Sequence, residues 1–531
     1  MRASLEYLPA DLFGLGELER KALTATPAAP VMPGLLVPRR LELVPEPPDP
    51  FDSDERAELA ADWEQRLTGF QPHVAALESV RKLATAGASI VLAEAPPHFC
   101  GGPLEVVYRS LHAIRLARTL SERWNKPVVP VLWNASDGHD LEPVRNFELV
   151  NDNFNLRRVS PASFGSNRRP LSRILLGEDP HRLRPIRELL RQELTELNYQ
   201  AELLDVAFPR VGESLETAFS RWILELFGPL GLIVLQPDWV RSDLSRALAD
   251  LVLLDPAREL SPDSENRPAL LYRLVEDLRT PLRQGGDGFQ YDGEVGSRTS
   301  SELAAEIVQD PGDWSPGELL LPLAREAVLP IAAHVGTWPE WGRLVTAAPF
   351  RSRAELRPAV FVPAQRATLL DPQTAGMLQR SSIELARILR PEEEDGASVV
   401  ETNPTPIAER MRELGAQAAR DLRLLRAELA ELDRGLSIQL KRTAGSVQGL
   451  VENLAKRVDR SQQNHGGQAH RKLRRLRNSL LPRGLPQETV LSSLPFFAHF
   501  GREWLEALVE QLDDLPTEHL VIRLEDPIEP I

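Results

Sequence analysis

The chain has 531 residues, more than one domain usually contains, so we expect two or three folded units. Apolar residues make up 42% and charged residues 26%, which excludes a disordered or fibrous chain. The single cysteine, Cys100, excludes a disulfide framework and a cysteine-rich metal site. The formal net charge of -15 disfavours non-specific binding to nucleic acid.

The sequence also carries no membrane or export signal. No stretch of about 18 residues is apolar enough to span a bilayer. The first residues lack the basic stretch, apolar segment and small-residue cleavage site of a secretory signal. We therefore expect a soluble cytoplasmic protein with no nucleic-acid partner and no membrane partner.

Residues 1–87 are predicted to form an N-terminal arm followed by helices. Prolines recur throughout residues 25–50, which favours an extended arm over a helix. Between residues 54 and 83, apolar side chains recur every three or four residues, as they do on one face of a helix.

A βαβ unit follows the N-terminal region. Residues 88–93 and 127–133 are short apolar runs typical of buried strands, and the helical pattern of residues 104–124 lies between them. Such a unit places its two strands parallel in one sheet. Ligands of open parallel sheets bind at the carboxyl ends of the strands, which here are residues 94–103 and 134–142.

Further apolar runs extend the predicted sheet. Residues 230–235 and 358–363 have the character of buried strands, and residues 262–318 indicate an inserted region of short strands and loops. The fold class predicted for residues 88–390 is therefore α/β, with a parallel sheet core and inserted connecting regions. The acidic, proline-punctuated residues 391–406 are interpreted as a linker.

The C-terminal region, residues 407–531, begins with a heptad-like stripe. Apolar residues from Ile407 to Leu436 are spaced alternately three and four apart, and no proline interrupts residues 407–481. This spacing predicts one long helix, a break at Gly466-Gly467 and a basic return helix over 469–481. The resulting α-helical coiled coil or hairpin would bury its stripe against a partner, such as a second copy of the chain.

The strongest polar motif follows the second predicted strand. Trp133, a candidate substrate-binding residue, ends that strand, and Asp137, His139 and Asp140 come directly after it. An imidazole beside carboxylates can bind an anion or transfer a proton near neutral pH. These three polar residues are therefore the candidate catalytic groups, the alternative being a polar loop that caps the next segment.

The turn after the first predicted strand supplies candidate substrate-binding residues. Its Gly101 and Gly102 would let backbone amides approach an anion, and His98 lies beside them. The turn is neither a G-x-G-x-x-G motif nor a P-loop, so a tight turn into a helix is an equal alternative. Cys100 is either a reactive thiol or, more commonly, a small core residue.

Other motifs favour structural roles. The basic run of residues 471–477 has two leucines three apart, which indicates a solvated basic face rather than a nucleic-acid site. His465 and His470 have the wrong spacing for a metal pair, and we predict no metal site. Residues 338–341 contain two tryptophans that either line a pocket or belong to the core.

Four segments match motifs of a known family. They are residues 90–104, ending in Gly101-Gly102-Pro103-Leu104; residues 127–142, with Trp133 and Gly138-His139-Asp140-Leu141; residues 322–341, with Pro322-Leu323, Gly336 and Trp341; and residues 480–497, with Leu485-Pro486-Gln487-Glu488 and Leu494-Pro495-Phe496-Phe497. In this order they resemble the bacillithiol biosynthesis cysteine-adding enzyme family, from about residue 50 to about residue 510.

The resemblance implies a Rossmann-like core and a C-terminal coiled coil that forms a homodimer. It implies a cysteine ligase that joins cysteine to the amino group of glucosaminyl malate, the last step of bacillithiol synthesis. His139 and Asp140 would then hold the activated carboxyl group or nucleotide phosphates. The sequence does not identify the activating nucleotide, because it contains no phosphate loop; ATP is compatible with it.

Several family motifs are altered in this chain. Glu94-Ala95-Pro96 stands where the family has Gly-Gln-Gln, and Gly138 replaces the first Asp of Asp-His-Asp, with Asp137 one position earlier. Leu321 replaces an Arg, and residues 336–340 shorten a Gly-Pro-Gly-Glu segment. Because all four changes fall on loops expected to face the pocket, a non-catalytic dimeric relative that binds a metabolite or a partner protein stays open as the alternative.

Overall fold

The computed structural model describes residues 3–13, 17–24, 34–49, 51–161, 168–176, 180–194, 199–256, 269–285, 288–291, 297–381, 383–390, 406–425, 428–429, 433–463 and 468–525. The chain divides into two compact units. The first contains residues 1–375 and 485–531, and the second contains residues 376–484. The last part of the chain therefore belongs to the unit that holds the parallel sheet.

The described residues form both strands and helices. The strands are β1 (Ala3–Pro9), β2 (Leu35–Leu36), β3 (Ser89–Ala95), β4 (Val128–Asn134), β5 (Phe147–Val150), β6 (Leu156–Val159), β7 (Leu175–Leu176), β8 (Glu213–Ser214), β9 (Ile233–Leu235), β10 (Leu271–Val275), β11 (Leu278–Gly285), β12 (Gly288–Tyr291), β13 (Trp314–Pro316), β14 (Ile331–Gly336), β15 (Ala359–Pro363), β16 (Ala367–Leu370) and β17 (Glu518–Leu524).

The helices surround and connect these strands. They are α1 (Glu17–Thr24), α2 (Ser53–Thr68), α3 (Val74–Lys82), α4 (Leu104–Trp124), α5 (Pro180–Glu193), α6 (Gln200–Ala207), α7 (Leu215–Phe227), α8 (Arg241–Leu253), α9 (Ser300–Gln309), α10 (Leu321–Val328), α11 (Trp338–Arg353), α12 (Pro372–Ser381), α13 (Leu385–Leu389), α14 (Pro406–Leu424), α15 (Arg434–Gln463), α16 (Gln468–Leu480), α17 (Gln487–Val490), α18 (Leu494–Phe500) and α19 (Glu503–Val509).

A parallel sheet forms the core of the first unit. Its described strands have the order β2-β15-β14-β3-β4-β9, and every neighbouring pair is parallel. The interior strands are buried almost throughout, which explains their continuous apolar sequences. The predicted strands 88–93, 127–133, 230–235 and 358–363 correspond to β3, β4, β9 and β15. The sequence analysis did not predict β14, which lies beside β3.

Two smaller sheets belong to the same unit. In the inserted region, β12-β11-β10-β13 form an antiparallel sheet, in agreement with the short strands expected within 262–318. The first and last of the described strands meet in a third sheet of order β1-β17-β16. The proline-rich arm contributes β2, which pairs with β15 at the edge of the parallel sheet.

The second unit contains an antiparallel helical hairpin. The Arg412 guanidinium on α14 binds Asp459 at 2.7 Å and Glu452 at 3.1 Å on α15, and Arg423 donates to Gln448 at 3.2 Å. A predicted single helix through residues 407–463 is therefore wrong, because α14 ends at Leu424 and α15 runs back along it. The predicted break at residues 466–467 lies outside the described residues.

The hairpin seam is built from small residues instead of the predicted stripe. Four alanines are fully buried, namely Ala408, Ala419, Ala444 and Ala455. A Cβ atom on Gly415 would lie 2.8 Å from the Val451 side chain, so the two helices approach closely there. Ile407, Leu414 and Leu450 of the predicted stripe are exposed in the single chain.

Candidate active site at the carboxyl edge of the parallel sheet

The carboxyl edge of the parallel sheet has a switch point between β3 and β14. From β3 the chain proceeds outward to β4 and β9, whereas β14 and β15 lie on the other side of β3. Open parallel sheets bind ligands at such a point, outside the strand ends. The side chains on each side of β3 are therefore the candidate site residues.

Glu94 ends β3 inside a cluster of arginines. Its Oε2 lies 2.8 Å from Arg325 Nη1, and its Oε1 accepts a hydrogen bond from Arg343 Nη2 at 3.4 Å. Burial alone would raise the pKa of Glu94, but the charges of Arg325 and Arg343 outweigh burial and lower the pKa to about 2. Glu94 is thus a buried carboxylate with firm internal partners.

Arg109 on α4 connects this cluster to the start of α11. Its Nη1 donates to Glu340 Oε1 at 2.8 Å and also to the backbone carbonyl of Glu94. The other oxygen of Glu340 accepts from the backbone N–H of Thr337 at 3.0 Å, which caps α11. Burial raises the pKa of Glu340.

A cavity of about 380 Å³ opens next to these charges. Residues from the ends of β3, β14 and β15, together with α17, form its wall, namely Pro96, Glu105, Arg109, Gly336, Thr337, Trp338, Pro339, Glu340, Pro363, Ala364, Gln365, Arg366, Glu488 and Thr489. Carboxylates and guanidiniums therefore share the wall with aromatic and proline surfaces. Trp338 faces the cavity, whereas Trp341 is buried in the core.

On the other side of β3, the end of β4 begins a buried polar network. Asn134 Nδ2 donates to Ser220 Oγ at 3.0 Å, and the Ser136 hydroxyl donates to Glu216 Oε1. Burial raises the pKa of Glu216 to about 7. Glu216 is therefore a carboxyl group that changes charge near neutral pH.

Asp137 is held by an arginine of α8. Arg241 Nη1 donates to Asp137 Oδ2 at 2.6 Å, and its other terminal nitrogen reaches both Asp137 and Asp238. Burial alone would raise the pKa of Asp137, but the Arg241 charge outweighs it and lowers the pKa. Asp137 therefore fixes the loop after β4 onto α8.

His139 meets the inserted sheet. Arg279 of β11 donates from Nη1 to His139 Nδ1 at 3.2 Å, and its guanidinium lies 3.7 Å from the centre of the Tyr272 ring. Since Nδ1 accepts this bond, the ring proton of neutral His139 is on Nε2. Burial and the Arg279 charge lower the pKa of His139, so it is neutral at pH 7. His139 thus presents an N–H donor.

The remaining loop residue, Asp140, is exposed. Its Oδ1 accepts a hydrogen bond from the backbone N–H of Glu142 at 3.1 Å. This contact caps the next segment, which is the structural role that the sequence left open for it.

The glycine turn after β3 is packed against other parts of the fold. Gly101 and Gly102 have φ values of 88° and 76°, and a Cβ atom on Gly102 would lie 2.7 Å from the His98 side chain. The N–H of Leu104 donates to the carbonyl of Leu491 at 3.0 Å, so residue 491 covers the start of α4. These contacts match the tight-turn alternative.

His98, Trp133 and Cys100 are buried beside the turn and strand ends. Burial and the Arg109 charge lower the pKa of His98 to about 3, so its ring is neutral. Arg325 lies 5.1 Å from the centre of the Trp133 ring, which links Trp133 to the Glu94 cluster. Burial raises the pKa of Cys100 well above its usual range, so the thiolate is disfavoured.

The candidates contact different elements. His139 and Asp137 lie with the β4 end and α8, whereas His98, Gly101 and Gly102 pack near the start of α4. None of these five lines the cavity beside β14. The sequence analysis missed Arg109, Arg279 and Arg325, and it named Glu94 and Glu488 only as parts of family motifs, without a role at the site.

The described residues contain no group of three or more His, Cys, Asp or Glu side chains placed to hold a metal ion. No helix among them is both long and apolar enough to cross a membrane.

An open parallel sheet with polar groups at its switch point defines a Rossmann-like α/β protein. The family model "Bacillithiol biosynthesis BshC, N-terminal Rossmann-like domain" matches residues 46–255, and "Bacillithiol biosynthesis BshC, C-terminal coiled-coil domain" matches residues 367–524. The chain belongs to the BshC family of bacillithiol biosynthesis. This membership confirms the resemblance, the Rossmann-like core and the coiled-coil region.

Curated relatives extend over most of the chain. The protein named "Putative cysteine ligase BshC" from Koribacter versatilis is 26% identical over 485 residues, which cover 87% of this chain and 88% of the relative. Proteins of the same name from Solibacter usitatus and Symbiobacterium thermophilum are 24% and 26% identical, and they cover 84% and 87% of this chain.

Proposed function

We propose that this protein is a cysteine ligase that joins the carboxyl group of cysteine to the amino group of glucosaminyl malate, the last step of bacillithiol biosynthesis. The observation that carries the proposal is the match to both domains of one family, whose curated members bear the cysteine ligase name. The reaction forms an amide C–N bond, and a nucleotide such as ATP would activate the carboxyl group. The protein would act in the cytoplasm.

The pair of His139 and Arg279 supports this chemistry. The hydrogen bonds of the Arg279 guanidinium go to neutral acceptors, namely His139 Nδ1, Ser315 Oγ and the Pro316 carbonyl. A buried guanidinium next to a neutral imidazole N–H suits an anionic oxygen, as on a carboxylate, a phosphate or a developing oxyanion. His139 would then act as a hydrogen-bond donor, with Arg279 fixing its tautomer.

The test is amide formation from cysteine, glucosaminyl malate and several nucleotides, followed by mass spectrometry. His139→Ala should lower the rate by about 10²–10⁴-fold. The neighbouring Asp140→Asn is the matched control and should have a mild effect, because its side chain only caps a loop. An unchanged rate in the His139 variant would refute its role, and a wild type without product would refute the ligase function.

A non-catalytic binder is the second candidate, and one observation favours it. The Glu94 carboxylate stands at the end of β3 and is already paired with Arg325 and Arg343. Those guanidiniums are therefore occupied by the protein itself. Loss of bacillithiol from cells lacking the gene, restored by the wild-type gene but not by its His139→Ala variant, would exclude this candidate.

We also propose that the chain forms a homodimer through the second unit. Leu414 and Leu450 expose 63% and 69% of their surface on the hairpin, more than a monomeric helical pair usually leaves in water. Leu414→Asp with Leu450→Asp should give a monomer by light scattering. Val211→Asp, at a 76% exposed position of the first unit, is the control and should leave a dimer.

A further inference from the structure

Arg279 is a buried cation that stays apart from a nearby carboxylate. It is 7% exposed, and its terminal nitrogens donate to His139 Nδ1 at 3.2 Å, Ser315 Oγ at 2.9 Å and the Pro316 carbonyl at 3.3 Å. Within the part of the chain that the structure describes, none of its hydrogen bonds goes to a carboxylate. Asp137 is nevertheless close enough for the two charges to act on each other. Because a buried guanidinium gains most from a direct carboxylate partner, a neighbouring group must hold the two apart.

Arg241 binds both oxygens of the Asp137 carboxylate. Its Nη1 donates to Oδ2 at 2.6 Å, and its Nη2 donates to Oδ1. Arg241 Nη1 also donates to the Trp314 carbonyl at 3.3 Å, so β13 helps to fix this arginine. The two arginines therefore bond to consecutive residues of β13: Arg241 bonds to Trp314, and Arg279 bonds to the two residues that follow it.

The Ser315 hydroxyl connects the two charges. Its Oγ accepts the hydrogen bond from Arg279 Nη2, and the hydroxyl also hydrogen-bonds the Asp137 carboxylate. A hydroxyl can accept from one group and donate to another, so it can link a cation to an anion without direct contact between them. Ser315 is 1% exposed and pairs with Tyr272 in the register of β13 with β10. The Arg279 guanidinium lies on that same Tyr272 ring, so β10 and β13 together fix its position.

We propose that Ser315 is a positioning residue, whose hydroxyl keeps Arg279 apart from Asp137 so that the guanidinium stays on His139 Nδ1. In a chain without that hydroxyl, Arg279 pairs directly with Asp137, and His139 loses the donor that sets its tautomer. The inserted sheet thus serves the candidate active site by holding a neutral imidazole with its N–H on Nε2. The proposal deepens the ligase function, and only its effect on the reaction rate rests on that function.

NMR of the full chain with isotope-labelled histidine tests the proposal without any substrate. It measures the pKa and the tautomer of each imidazole ring, and His139→Gln identifies the signal of His139 by its loss. The charged groups that face His139 are Arg279, Asp140, Arg168 and Glu318, and among them Arg279 acts most strongly. The wild-type ring should carry its proton on Nε2 and have a pKa below the ordinary 6.5, through burial and the Arg279 charge. A neutral wild-type ring protonated on Nδ1 would overturn the proposal.

Ser315→Ala should raise the pKa of His139 toward 6.5, because the Arg279 charge moves to Asp137. Adding Asp137→Asn to that variant removes the carboxylate that captures Arg279, so the pKa of His139 should fall back to its wild-type value. A merely structural effect of the serine would not be reversed in this way. Ser110→Ala is the matched control, since it removes another buried hydroxyl, which donates to a carbonyl of its own helix at 2.8 Å, and it should leave the His139 pKa unchanged.

A second variant covers the case in which Ser315→Ala folds poorly. Ser315→Cys keeps the size of the side chain, but its thiol is a weaker donor and acceptor than a hydroxyl. It should therefore change the pKa of His139 in the same direction. An unchanged pKa in both Ser315 variants, or a rise that persists after Asp137→Asn is added, would overturn the proposal.

The positioning role and the ligase function fail separately. In the amide-forming assay, Ser315→Ala should lower kcat by as much as about 10²-fold, because a misplaced group reacts from the wrong geometry. A raised His139 pKa in Ser315→Ala, without amide product from the wild type, would refute the function and keep the positioning role. A wild-type kcat in Ser315→Ala together with an unchanged His139 pKa would refute the positioning role and keep the function.

Discussion

The two sides of β3 carry different kinds of polar structure. On the β14 side, carboxylates and guanidiniums share a cavity wall, and Glu94 has more than one cationic partner. On the β4 side, Arg241 binds Asp137, and Arg279, whose charge also acts on Asp137, hydrogen-bonds the neutral His139. The difference teaches that one edge of one sheet can carry two polar environments of different composition.

The largest expected effect is a loss of stability, and its size depends on how many arginines bind the buried carboxylate on each side of β3. Arg241→Met removes the guanidinium that hydrogen-bonds buried Asp137 and leaves only the Arg279 charge near it, so the unfolding free energy should fall by about 3–5 kcal/mol. Arg325→Met leaves Glu94 with Arg343 and should cost only about 1–2 kcal/mol. Urea unfolding followed by tryptophan fluorescence measures both. A larger loss in the Arg325 variant would contradict the comparison.

A second prediction uses the pH dependence of Glu216. Its pKa in the folded protein is about 7, against an ordinary 4.5, so the folded state holds this proton more tightly than the unfolded state. Its contribution to stability is complete below pH 4.5 and is lost as the pH rises through 7, amounting to about 3 kcal/mol. Glu216→Gln should abolish that decline and be more stable than the wild type at pH 8.

The carboxylates on the opposite side of β3 provide the control for this measurement of stability against pH. Glu94 and Glu326 have pKa values lowered to about 2, so their contribution is present above pH 4.5 and is lost as the pH falls toward 2. Glu216→Gln should leave this loss of stability at acid pH unchanged. If Glu216→Gln instead changed the loss of stability at acid pH, the carboxyl groups on the two sides of β3 would not titrate independently.

The smallest effect concerns the turn between the two sides. Cys100→Ser places a hydroxyl in a buried position, which should cost about 1 kcal/mol and leave ligase activity unchanged. The native thiol should also resist iodoacetamide, since burial raises its pKa. Rapid alkylation of the folded protein, measured by mass spectrometry, would show that this turn opens.

The sequence predicted the strands whose side chains are uniformly apolar. β3 and β4 are continuous runs rich in valine, leucine and isoleucine, so their pattern is visible locally. β14 contains two alanines and His334, and it gives no comparable signal. His334 is tolerated in the sheet because its Nε2 hydrogen-bonds Glu326 Oε1 at 2.8 Å. That partner lies on a different element and cannot be found from strand pattern.

The sequence identified only the candidate site residues that directly follow a predicted strand. Asp137, His139 and Asp140 follow a predicted strand, so topology alone marked them. Arg279 and Glu488 reach the sheet edge from the inserted sheet and from α17, more than a hundred residues from their partners. A family motif contains Glu488, but no local pattern indicates its contact with Arg366 or distinguishes Arg279 from a solvated charge.

The packing of the helical hairpin could likewise be predicted only in part from the sequence. The leucine stripe correctly indicated a coiled-coil region, because its period matches a helix that buries one face. The alanines and Gly415 form the seam within one chain, since small side chains let α14 and α15 approach closely. Two candidate seams on one helix cannot be ranked from spacing alone.

The pairing of β1 with β17 joins the first and last of the described strands, from Ala3 opposite Leu524 to Pro9 opposite Glu518. Nearby, the Gln487 side chain binds both the N–H and the carbonyl of Leu369. A ribosome therefore makes the whole helical unit before it makes Glu488 and the strand that closes this sheet. An interrupted translation product therefore has an unpaired β1 edge, and an unpaired edge strand can pair with another chain.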